Sequence, residues 1–183
     1  MDNTQQGVSP HTVNLSRHAL KQMIRVVHDL QNLSENPQYP DKLPELTCSA
    51  QIQAQNYSVL MAYDFHVTDS QEAKLIEVNT NAGGLWFACG IENPLNQALP
   101  NKLAQRLLAT FIQEYRLFTQ DSQAKPKLIA IVDQAPKQQF LYSEMQAFAR
   151  LFKQAGIDCV ITDPSEIEAS NSGLYYKEQH IDL

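Results

Sequence analysis

The residues best suited to chemistry sit in one short run, Lys74-Leu-Ile-Glu-Val-Asn-Thr-Asn-Ala-Gly-Gly84, with Asp64-Phe-His66 shortly before it. In an extended chain successive side chains alternate between faces, so Glu77 and Asn79 project to the same side. A carboxylate and an amide oxygen placed together are hard donors. They suit Mg²⁺, which takes few protein carboxylates and completes its shell with phosphate oxygens and water. Leu75, Ile76 and Val78 are expected to give apolar support, while Gly83 and Gly84 let backbone N–H groups come close to an anionic substrate or phosphate. The same residues also admit a plainer reading. Glu77 would then be an ordinary edge-strand carboxylate, Asn79-Thr80-Asn81 turn chemistry, and the two glycines a means of reaching positive φ.

These groups need elements to hold them. Residues 58–65 and 74–79 are short apolar-alternating segments around a polar turn at 68–72, which predicts a hairpin. Upstream, residues 14–33 place Leu20, Met23, Ile24, Val27 and Leu30 on one helical face. Residues 37–55, interrupted by Pro40 and Pro44, read as a connection. After Pro94 and Pro100 a second helix is expected, with Leu103, Leu107, Phe111, Tyr115 and Phe118 in one stripe. Residues 127–132 form an unbroken apolar run, as in a strand covered on both faces. A helix over 140–155 follows, with Leu141, Met145, Phe148 and Phe152 inward and Gly156 as its C-terminal cap. With the apolar strand 159–161 it makes a βαβ unit with parallel strands. Residues 174–176 predict another short strand with a turn at 178–179. His180-Ile-Asp-Leu183 begins an apolar alternation as the sequence stops, which gives the expectation that the chain is a fragment of a longer protein. The fold class expected is α/β, a hairpin plus a parallel Rossmann-like βαβ sheet flanked by helices. Two domains are expected: 1–100 with the first helix, connection and Glu77/Asn79 hairpin, and 101–183 as an α/β substrate-binding domain.

Composition narrows the function classes. The 183 residues are 43% hydrophobic, enough for a packed core, and 14 basic against 20 acidic residues give a net charge of −6. That balance offers no general attraction to nucleic acid or anionic lipid. No leader pattern or membrane-length apolar run is visible, so a cytoplasmic protein is expected. Cys48, Cys89 and Cys159 have no paired spacing and read as reduced thiols, Cys89 as a buried and inert one. His66 shares a face with Asp64 and reads as a hydrogen-bonded strand residue, with contact to substrate as the alternative; His18 and His28 lie on a solvated face of the first helix. Trp86 and Phe87 read as core packing, with a pocket beside the glycine loop as the alternative. Asp133 stands at the C-terminal end of a parallel-type strand, where α/β sheets bind ligands.

The segment 75–84, with Tyr63-Asp-Phe65 about ten residues before it, resembles the magnesium-binding strand of circularly permuted ATP-grasp ligases. That group includes eukaryotic-type glutathione synthetase and, more distantly, glutathionylspermidine synthetase. The resemblance implies that Glu77 and Asn79 hold Mg²⁺, that Asp64, Glu77 and Asn79 serve the ATP, and that Asn81, Gly83, Gly84 and Asp133 face substrate. It implies a pre-ATP-grasp, substrate-domain type of fold. The activity implied is carboxylate–amine ligation: ATP converts an acid to an acyl phosphate, which an amine then attacks. Ala62-Tyr63 stands where glutathione synthetase has an arginine before its aspartate, and the loop at Thr80-Asn-Ala82 is shorter, so another acid and amine are expected. Nothing in residues 85–183 resembles the ATP-binding half, so no activity is expected from this chain without that half. The partners expected are small molecules, with a homodimer admitted and nucleic acid and membrane excluded. The alternatives are a non-catalytic Rossmann-like small-molecule binding or interaction module, and a periplasmic-type or regulatory small-molecule sensor that binds ligand without Mg²⁺.

Overall fold

A computed structural model of the chain describes residues 13–39 and 58–183. The connection expected over 37–55 lies mostly outside the described residues, as does Cys48. The protein is of mixed α/β class, built from small sheets and helices. The chain divides into two compact units. Among the described residues one comprises 13–39 and 60–82, the other 58–59 and 83–183, so residues 83–100 go with the C-terminal unit.

The first unit is a helix on a hairpin. Helix α1, Arg17–Ser34, starts at Ser16, whose hydroxyl accepts the Ala19 N–H. Such a cap satisfies one of the first-turn donors that have no partner within the helix. Strands β1, Met61–Val67, and β2, Ala73–Thr80, pair antiparallel as the alternation predicts. Side-chain amides fasten the helix to the hairpin: Gln71 Oε1 accepts the Ser16 N–H and Gln22 Oε1 the Ala73 N–H. The expected apolar face of α1 is only partly used. Ala19 is its buried residue, whereas Leu20 and Ile24 are 46% and 48% exposed. Two strands are too narrow to cover a five-residue stripe.

The second unit holds a short helix α2, Leu85–Ala88, then α3, Asn101–Thr119, strand β3, Leu128–Val132, helix α4, Tyr142–Gln154, and strand β4, Asp158–Thr162. Strands β3 and β4 are parallel and in register from Leu128↔Asp158 to Val132↔Thr162, as expected for the βαβ unit. Helix α4 ends in a Schellman arrangement. Gly156, at φ +70°, donates to the Lys153 carbonyl and Ile157 to that of Phe152. Ile157 and Phe152 then share one buried cluster with Ile129, the apolar contact that accompanies this cap.

Two expectations on burial need correction. Strand β3 is not covered throughout: Leu128 and Ile129 are buried, but Val132 is 45% exposed at its C-terminal end. The stripe on α3 fails at Phe118, which is 65% exposed, because the helix runs past the aromatic cluster formed with α4. A meander, β5 (Ile167–Ser170), β6 (Gly173–Tyr176) and β7 (Gln179–His180), closes the unit; its turns fall at 171–172 and 177–178, the second one residue before the expected 178–179.

Beyond β7 the chain runs along β3. Asp182 N–H donates to the Leu128 carbonyl and Ala130 N–H to the Leu183 carbonyl, while Asp182 Oδ2 accepts the N–H groups of Lys127 and Leu128. Burial alone would raise the Asp182 carboxyl, but those two N–H groups, with His180 and Tyr115, outweigh it and hold it below its ordinary value. A carboxyl lowered in the folded state stabilises fully above its unfolded value, about pH 4, and loses that effect as pH falls through the folded value. Acidification is therefore expected to speed hydrogen exchange at the Lys127, Leu128 and Asp182 amides relative to those of α4. Asp182→Asn is expected to abolish that pH dependence, and an unchanged ratio in the parent protein would refute the assignment.

Candidate functional site

The hairpin register decides what Glu77 and Asn79 meet. Glu77 stands directly opposite Asp64, and Asn79 opposite Ala62. Cross-strand partners share a face, so Asp64, Glu77 and Asn79 form one oxygen-bearing cluster in the first unit. The register shift falls beyond Asp64, between Asp64 and Phe65, and leaves that pairing intact. Glu77 and Asp64 are exposed and Asn79 is half-buried. Residues directly opposite on a sheet have Cβ atoms about 4.5–5.5 Å apart, and like charges there repel. Neither carboxylate has a hydrogen bond or ion pair among the described residues, where the one ion pair joins His180 and Asp182. The apolar support expected from Ile76 and Val78 is absent: they are 68% and 37% exposed. His66 is exposed and pairs across the hairpin with Lys74.

Such a donor set fits a hard cation. Oxygens at about 2.0–2.1 Å from one Mg²⁺ are within reach of two carboxylates on adjacent strands, and an amide oxygen can add a third contact. Among the described residues no three His, Cys, Asp or Glu side chains gather into a metal-holding group, so the third donor on this face is the Asn79 amide.

Asn81 belongs to the first unit and takes a positive φ of 52° at the end of β2. Gly83, Gly84 and Asp133 belong to the second. There the glycine loop meets an anion of the protein itself. Glu144, 2% exposed on α4, accepts the Gly84 N–H at 2.6 Å and the Trp86 N–H at 2.9 Å. Gly84 sits at φ +92°, which glycine reaches without strain, and leads into α2. A Cβ on Gly83 would come within 2.5 Å of Leu141 Cδ1, so the loop packs against the start of α4. Trp86 is core: 3% exposed, edge-on to Phe148 with centroids 4.8 Å apart. Cys89, expected to be buried, is exposed at the C-terminal cap of the four-residue α2, between the buried Trp86 and Ile91. Burial instead affects Cys159, whose thiol is pushed up to about 12.

Asp133 is half-buried at the end of β3, where its carboxylate accepts the N–H of its neighbour Gln134. The organising group at this end of the sheet is Asp163. It accepts the Ala135 N–H and both the N–H and hydroxyl of Ser165, bonds that hold its carboxyl below the usual range. One carboxylate thus ties together the loops that follow β3 and β4. Glu144 and Asp163 were not among the expected site residues. Asp163 had a visible signal, the Asp-Pro-Ser sequence of a capped turn, whereas nothing local distinguishes Glu144 from a solvated helix residue.

No family model, curated protein or solved structure matches the chain.

Proposed function

We propose that the hairpin is a Mg²⁺–nucleotide-binding element and that the chain is part of an ATP-dependent carboxylate–amine ligase of the permuted ATP-grasp type. One observation carries the reading: Asp64 and Glu77, two like charges, face each other in register with Asn79 beside them, and neither carboxylate is hydrogen-bonded or ion-paired among the described residues. A divalent cation would turn that repulsion into ligation. Asp64 and Glu77 would hold it and Asn79 would orient an oxygen toward it. Bound there, the ion would supply charge neutralisation for the nucleotide phosphates while an acid is activated as its acyl phosphate and an amine displaces the phosphate. The resemblance of residues 75–84 to the ligase strand and the βαβ arrangement of β3, α4 and β4 support the same reading.

The whole chain, followed by thermal unfolding and by nucleotide titration with and without Mg²⁺, tests it. Mg²⁺ is expected to raise the midpoint of the parent protein and to strengthen ATP binding. Glu77→Gln is expected to unfold at a slightly higher temperature than the parent without metal, by relief of repulsion worth about 0.2–1 kcal/mol, and to lose the Mg²⁺ response. A parent protein indifferent to Mg²⁺, or a variant that responds as the parent does, would remove the basis for the proposal.

A further inference from the structure

A cavity of about 270 Å³ lies in the second unit between the 94–101 segment and α4. Its walls are mainly apolar, with Trp86, Pro94, Leu99 and Leu151, and its polar groups are amides such as Gln154 together with one cation, Arg150. No acidic residue lines it, although the chain carries 20 acidic against 14 basic residues. The Arg150 guanidinium is fixed in place: Nη1 donates to the Leu95 carbonyl at 2.6 Å and Nη2 to the Pro94 carbonyl at 2.7 Å. Both acceptors are neutral, and Arg150 has no carboxylate partner among the described residues. Of its five N–H donors three are left, enough to donate to an anion at this partly exposed position. A guanidinium already held by backbone carbonyls loses little freedom on gripping an anion, which lowers the cost of binding.

We infer that this cavity binds a small organic monocarboxylate with an apolar body, its carboxylate on Arg150 and its carbon chain against Trp86, Leu99 and Leu151. One cation against neutral walls matches one negative charge; a doubly charged phosphate would find no second cation there. The volume equals that of roughly nine waters in the liquid, room for a chain of about six carbons. The inference is independent of the cation face on the hairpin and needs neither metal nor nucleotide.

The test uses the chain's single tryptophan, which lines the cavity and makes emission a local reporter. Hexanoate is titrated into the full chain beside hexanamide, its neutral counterpart. Hexanoate is expected to give a saturable emission change, and hexanamide to bind about tenfold more weakly or worse, since a charge-assisted pair is roughly twice as strong as a neutral one. Arg150→Gln is expected to weaken hexanoate by about tenfold and leave hexanamide unchanged. Ala98→Phe places a ring at an exposed position on the cavity's lining and is expected to block both. Equal affinity for acid and amide, no saturable response to hexanoate in the parent protein, or unaltered binding in Ala98→Phe would each overturn the inference. Should Arg150→Gln fail to fold by circular dichroism, the acid–amide comparison and Ala98→Phe still decide.

Discussion

Phe152→Ala is expected to cost about 3–5 kcal/mol of stability, the upper range for deleting a buried aromatic ring. Phe152 is 1% exposed and meets Phe111 edge-on with centroids 4.8 Å apart, Phe148 at 6.1 Å, and the side chains of Ile129 and Ile157. It thus joins α3, α4, β3 and the chain leading into β4. Its carbonyl also closes the Schellman cap, so a cavity here loosens the end of the helix as well as the core. Domains have only about 5–15 kcal/mol to lose, and a clear drop in the urea midpoint is expected. Phe118→Ala is the control. It lies on the same expected stripe as Phe111 but is 65% exposed, and its truncation is expected to cost less than about 0.5 kcal/mol. Similar losses in the two variants would show that this core has been assigned wrongly.

Glu144→Leu is expected to destabilise the second unit by about 2–4 kcal/mol. The Gly84 and Trp86 N–H groups both end on its carboxylate, and each buried donor left unpaired costs about 1–3 kcal/mol. A leucine fills much the same volume, so the cost comes from the orphaned donors rather than from a void. Glu144→Gln keeps one acceptor oxygen and turns the other into a donor group facing a donor, so an intermediate loss is expected. Faster hydrogen exchange at Gly84 and Trp86, with exchange in the β1–β2 hairpin unchanged, would locate the effect. Unchanged stability in Glu144→Leu would mean that these two bonds contribute nothing net. The bonds also bear on how the loop can be used, since a ligand claiming the Gly84 N–H would have to displace a buried carboxylate.

Much of the architecture was legible because it rests on local patterns. Two short extended segments, 58–65 and 74–79, around a polar turn specified the hairpin to within a few residues of its strands at 61–67 and 73–80, and an apolar run, an amphipathic helix and a second apolar run specified the parallel β3–α4–β4 unit. Gly156 marked the end of α4 because a positive φ there lets the Ile157 N–H turn back onto the Phe152 carbonyl of the helix. Burial was less legible. Leu20, Ile24, Phe118 and Val132 have the pattern of core residues, yet whether an apolar face is covered depends on how wide its partner is and where that partner ends. Two strands cannot cover all of α1, and α3 outruns the cluster it packs on.

The candidate site divides along the same line. That Glu77 and Asn79 share a face follows from the sequence alone, since a strand alternates with a period of two whatever it pairs with. That Asp64 stands opposite Glu77 depends on cross-strand register, and a slip of one residue would have sent the two carboxylates to opposite faces. Glu144, Asp163 and Arg150 were beyond sequence reasoning. Each acts on backbone groups far along the chain, 58–60, 28 and 55–56 residues away, and no local spacing encodes such contacts. Local periodicity fixes which way a side chain points from its own element; only the assembled chain decides which N–H, carbonyl or cavity it meets.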